Sequence, residues 1–171
     1  MQLIHVGDIK ISKKFKKVIT SELNNHKQDD DVFTVIDEDF FEDYSDDLDK
    51  IKSKIEESIV EYGYNLFRVG SDEPIIKLSG ISRLKFIRQT PGKESTYGFD
   101  AHDYSSYNKA LTIIINLSDI TEDGELEFHF QEVQIRPSEN EIVIFPASFT
   151  HLHKFNKTKQ EKIFIKASCF F

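Results

Sequence analysis

The chain has 171 residues, 39% of them hydrophobic, with 15 Phe and 6 Tyr, enough apolar material to bury a core in one domain without staples. A formal net charge of −8 argues against sequence-independent binding to nucleic acid, which needs a positive face to displace counterions. The single cysteine, Cys169, excludes an internal disulfide and fits a reducing cytoplasm, and no segment is apolar for long enough to cross a bilayer.

The first residues, Met1 to Val6, lack the basic and apolar regions of a secretory leader. Ser12 to Asn24 reads as an amphipathic helix, with Phe15, Val18, Ile19 and Leu23 at helical spacing and Ser12 as its cap. Asp29 to Asp47 is acidic but interleaved with Phe40, Phe41 and Tyr44, which predicts an ordered segment packed on the core rather than a solvated tail. Asp46 to Tyr62 is a second helix, with Leu48, Ile51, Ile55, Ile59 and Val60 on one stripe and Asp46 and Asp47 suited to its N-terminus.

From about Asn65 the pattern becomes β. Strands are expected at Leu66–Val69, Leu84–Gln89, Ala110–Leu117, Glu125–Phe130, Gln134–Arg136, Glu141–Phe145 and Lys162–Phe170. Leu126, Phe128 and Phe130 alternate with charged residues, as in a half-buried strand. Ala110–Leu117 and Ile142–Phe145 are apolar throughout, as in strands covered on both faces. Short strands separated by turns predict a sandwich or barrel. The expectation is one domain over 1–171, a helical part over about 1–64 buttressing a β part over about 65–171.

Of six histidines, His5 and His26 read as surface or packing residues, and His129 as solvent-facing on an alternating strand. His102 lies in Asp100-Ala101-His102-Asp103-Tyr104. If that stretch is extended, Asp100 and His102 project to one side and could reach one metal together. Two His and one carboxylate on one face of iron is the ligand pattern of non-haem Fe(II) oxygenases. By itself an Asp-x-His pair is common on surfaces.

The later segment carries a more specific pattern: Leu117-Ser118-Asp119, Gly124-Glu125-Leu126-Glu127-Phe128, a turn over Pro137 to Asn140, and Phe145-Pro146-Ala147-Ser148-Phe149-Thr150-His151-Leu152-His153. This run, from roughly Leu84 onward, resembles the prolyl-4-hydroxylase-like 2-oxoglutarate/Fe(II) dioxygenases, particularly their small phage and marine microbial versions. The resemblance implies a mostly β fold with N-terminal helices, a double-stranded β-helix (jelly-roll) barrel. It implies His151 as the distal iron ligand on the strand after the Phe145-Pro146 turn, with His153 as the alternative if the register slips. It also implies that Lys162 binds the far carboxylate of 2-oxoglutarate, with Lys166 the second candidate. A dicarboxylate entering a buried barrel needs a fixed cation at its far end; otherwise Lys162 is an ordinary solvent-facing lysine.

The implied activity is hydroxylation of a C–H bond in a peptide or small molecule, with Fe(II), 2-oxoglutarate, O₂ and, as a possible reductant, ascorbate, in the cytoplasm of a microbe or a phage-infected cell. The chain departs from the family at the proximal pair, His-x-Asp/Glu: counting from His102, the acid position holds Tyr104. Asp100 in reversed order is the favoured carboxylate; Asp103 turned inward, or no carboxylate, are the alternatives. Asn116 replaces the usual Tyr, Asp123 the first Gly of a Gly-Gly pair, and Asn140 a turn Gly, which Asn tolerates in left-handed backbone. Two other readings follow: a catalytically degenerate jelly-roll used as a binding or virion-associated module, and a cupin-like metal barrel that does not use 2-oxoglutarate.

Overall fold

A computed structural model describes residues 3–66 and 78–171. The chain order is β1 (His5–Asp8), α1 (Lys13–Asn25), β2 (Phe33–Asp37), a 3₁₀ segment (Glu38–Tyr44), α2 (Ser45–Leu66), β3 (Gly80–Ile81), β4 (Lys85–Gln89), β5 (Lys109–Asn116), β6 (Leu126–Phe128), β7 (Val133–Ile135), β8 (Glu141–Pro146), a 3₁₀ turn (Phe149–His151), β9 (His153–Phe155) and β10 (Lys162–Phe170). All pairings between these strands are antiparallel. A seven-stranded sheet runs β1-β8-β5-β10-β4-β2, with β3 also on β10, and a three-stranded sheet runs β7-β6-β9.

The period of two divides the large sheet's side chains between two cores. On one face Ile113, Ile115, Ile142, Ile144, Ile163 and Ile165 meet Phe15, Ile19 and Leu23 of α1 and Leu48, Ile51 and Ile55 of α2. On the other face Ile114, Val143, Phe145 and Phe164 meet Leu126, Phe128 and Phe155 of the small sheet. The continuous apolar runs of β5 and β8 are therefore strands buried on both sides, as their sequence predicts.

Ser12 caps α1 by accepting from the Phe15 N–H at 3.2 Å, and Asp46 and Asp47 occupy the first turn of α2. In the acidic segment Phe41 is buried, so the aromatic interleaving does mark ordered, packed chain. Asn140 adopts φ +69°, the left-handed backbone its place in the turn requires.

Some expectations change. β1 and β2, within the part expected to be helical, extend the large sheet at its two ends. Val60 lies off the buried stripe of α2 and is exposed. The strand expected over Glu125–Phe130 stops at Phe128: His129 and Phe130 enter a turn, with Glu132 at φ +54° and Phe130 exposed. Of the strand expected at Leu66–Val69, Leu66 instead ends α2, and 67–69 lie outside the described residues. Among the described residues no helix is long and apolar enough to cross a membrane.

Candidate functional site between the two sheets

On β10, Lys162, Phe164 and Lys166 share the face turned toward the small sheet, because Phe164 belongs to the inter-sheet core and Lys166 stands opposite Ile114. Two lysines thus flank one phenylalanine, their Cα atoms about 13 Å apart by strand geometry.

Lys162 is 2% exposed. Its Nζ donates to the Gly124 carbonyl at 2.6 Å and lies 5.4 Å from the Phe155 ring centre and 5.9 Å from that of Phe164. Burial brings its pKa down to about 8, against a smaller opposing pull from Glu125. One carbonyl and two ring faces compensate the buried ammonium incompletely. A carboxylate brought to it would complete the pairing.

At the other end sits Asp100. Its Oδ1 accepts from Lys166 Nζ at 2.6 Å and its Oδ2 from the Thr112 hydroxyl at 2.5 Å. Burial alone would raise the carboxyl pKa; the Lys166 ammonium and the Thr112 hydroxyl reverse this and hold it below the usual range, and His153 acts in the same direction. His153 is buried on β9 and directs Nδ1 to the His151 carbonyl at 3.0 Å. With the carbonyl accepting, Nδ1 carries the proton and Nε2 keeps its lone pair. Burial lowers the His153 pKa more than the His151 carbonyl and Asp100 raise it.

His151 is buried, with its Nδ1 3.0 Å from the Thr150 hydroxyl and its Nε2 without a hydrogen-bond partner. Burial first, and His153 second, bring its pKa down to about 4. It does not lie on the strand expected there. The His151 N–H donates to the Ser148 carbonyl at 3.0 Å, closing a 3₁₀ turn, and β9 begins only at His153. Because its folded pKa lies below the unfolded value of 6.5, the unfolded chain binds more protons between pH 6.5 and 4. Stability then falls as pH drops through that window, by up to about 3 kcal/mol from this group. Urea melts at pH 7 and pH 4.5 should show the loss, and His151→Gln should reduce it.

The segment 100–108 runs as bends and turns rather than as a strand, so side-chain alternation does not apply to it. Asp103 accepts from the Ser105 N–H and from the Ser105 and Ser106 hydroxyls, at 3.0, 2.7 and 2.7 Å. These bonds, the Ser105 hydroxyl foremost, lower its pKa to about 2. The turn they hold sends Asp100 inward and His102 outward. His102 contacts the Phe99 carbonyl at 3.0 Å and Asp103 at 3.4 Å, its side chain 62% exposed. Tyr104 is 92% exposed. The geometry therefore groups Asp100 with Lys166, Thr112 and His153, joins His151 to His153, and leaves His102, Asp103 and Tyr104 outside.

Among the described residues no three His, Cys, Asp or Glu side chains gather so as to hold a metal. The orphaned Nε2 of His151 is a donor of the right kind for iron. As placed, however, the set does not fit it: the one inward carboxylate is held by an ammonium, and His102 faces solvent. Lys166 and His153, the second candidates from the sequence, are the ones grouped with Asp100. The period of two along β10 would have put Lys166 on the same face as Lys162.

The sequence matches no known family profile and no curated protein. The fold, by contrast, is widely shared. The chain is similar to a viral collagen prolyl hydroxylase from Paramecium bursaria Chlorella virus-1 in complex with 2OG, at 17% identity and TM-score 0.68, over 98% of this chain and 96% of that one. It is similar to a prolyl-4-hydroxylase from Pseudomonas putida, at 11% identity and TM-score 0.68, over 98% and 91%. A prolyl hydroxylase from Trichoplax adhaerens, in complex with a hypoxia inducible factor oxygen degradation domain peptide fragment, matches at 10% identity and TM-score 0.70, over 98% and 83%. At these identities the likeness is one of fold: this chain has the fold of the prolyl-4-hydroxylase-like 2OG oxygenases.

Proposed function

We propose that the chain is an oxygenase of the 2-oxoglutarate/Fe(II) class, a hydroxylase of a peptide or small-molecule C–H bond, built on a jelly-roll barrel formed by the two facing sheets. The observation that carries this reading is Lys162: a buried, under-compensated ammonium between the sheets, on the strand where the sequence resemblance implies the cosubstrate's cation. The likeness of fold to hydroxylases, one in complex with 2OG and one with a peptide, supports the same class for this chain.

In this reading Lys162 holds the far carboxylate of 2-oxoglutarate, and Phe155 and Phe164 exclude water around it. Asp100, His102 and His151 are the groups implied as iron ligands, with His153 beside them. When bound, iron would supply the redox chemistry with O₂. The present arrangement does not close around a metal, so the chain's own contribution is to bind and orient the dicarboxylate and to keep two imidazoles neutral.

The Asp100–Lys166 pair favours a second reading, a catalytically degenerate barrel that binds but does not oxidise. Release of succinate from 2-oxoglutarate separates the two. Oxygenase function predicts succinate that depends on added Fe(II) and disappears in Lys162→Met. No succinate at any iron concentration, with 2-oxoglutarate still bound, supports the second reading instead.

A further inference from the structure

We propose that the Lys166 ammonium is a tethered competitor for the cation position at Asp100, so that uptake of a divalent metal at this end of the barrel is opposed by the chain itself. The inference rests on the reading that the Asp100 end is where this class of protein would hold its metal.

Four observations carry it. Both partners are largely withdrawn from water, with 25% and 14% of the Lys166 and Asp100 side chains exposed. Lys166 projects from a strand bonded on both sides, to β5 and β4, so its origin is fixed. Both carboxylate oxygens are engaged, one by the ammonium and one by the Thr112 hydroxyl. The buried His153 acts on the Asp100 carboxylate, and His151, with an unpartnered Nε2, adjoins His153.

Charge counting gives the consequence. With Lys166 in place, the carboxylate and the ammonium sum to zero, and a metal approaching Asp100 also meets a like charge within a few ångströms. Without Lys166, the Asp100 carboxylate keeps its negative charge beside the His153 imidazole, an oxygen and a nitrogen donor of the kinds that bind divalent transition metals. The strand register that aligns Lys162 with the inter-sheet space also brings Lys166 onto the acid.

Titration of Co(II) into the full-length chain, followed by visible absorption and by thermal melting, tests the proposal. Lys166→Leu should bind Co(II) at least about tenfold more tightly than the wild type, a difference of roughly 1.4 kcal/mol. Lys166→Arg should behave as the wild type, and Asp100→Asn combined with Lys166→Leu should lose the gain. Should Lys166→Leu fail to fold by circular dichroism, Lys166→Gln replaces it, keeping a donor for Asp100 without the charge. Uncharged variants that bind Co(II) no more tightly than the wild type overturn the proposal. Failure of the oxygenase reading looks different: the variants gain Co(II), while the wild type forms no succinate with Fe(II).

Discussion

Replacing Lys162 by methionine is expected to lower the affinity for 2-oxoglutarate by at least about 100-fold, because truncating one partner of a buried charge pair costs roughly 2–5 kcal/mol. The same substitution should leave the folded chain as stable as the wild type, or more so. A 2%-exposed ammonium with one carbonyl partner is a burden on the free protein, and methionine fills nearly the same volume between Phe155 and Phe164 without a charge. Loss of ligand with retained or raised stability is the signature of a side chain kept for binding. An ordinary structural lysine would show the reverse.

The pH dependence sharpens this test. The folded pKa of Lys162, about 8, lies below its ordinary 10.5. Between these values the unfolded chain holds more protons, so this group makes stability rise with pH, by up to about 3 kcal/mol over the window. Burial raises the Cys169 pKa, which works in the opposite sense at high pH but equally in both proteins. The difference in unfolding free energy between Lys162→Met and wild type should therefore shrink from pH 8 to pH 10. A constant difference would mean that Lys162 is not a strained buried cation.

The second large effect lies on the helical face. Phe15 is fully buried, 5.3 Å from Tyr44, 5.6 Å from Phe41 and 6.0 Å from Phe86, measured between ring centres. It joins α1, the 3₁₀ segment and β4 in one contact. Phe15→Ala should cost about 3–5 kcal/mol, a large part of the 5–15 kcal/mol typical of a domain. The midpoint in urea should fall sharply while the slope stays near that of the wild type. A loss below about 1 kcal/mol would show that the helices do not dock on the sheet through this ring.

What the sequence made legible follows from the physics of each element. β5, β8 and β10 are buried on both faces along most of their length, so their apolar runs announce them. α1 announces itself through Ser12 and its stripe. β1, β2 and β9 do not: the first two lie at the ends of the large sheet with half-exposed patterns, and β9 is three residues long.

The candidate site is legible in part: context singles out Lys162 and His151, and both side chains are buried. Alternation along a strand singles out Asp100, but a turn rather than a strand directs it inward. Strand alternation would have sent His102 the same way, whereas the turn held by Asp103 and its serines separates the two. The ion pair with Lys166 joins residues 66 apart in sequence, and no local pattern encodes it.

Calorimetric titration of 2-oxoglutarate into the wild-type chain, with and without Mn(II), tests the central claim most directly. The predicted result is saturable one-to-one binding that disappears in Lys162→Met. A wild-type chain that takes up no 2-oxoglutarate under either condition would contradict it.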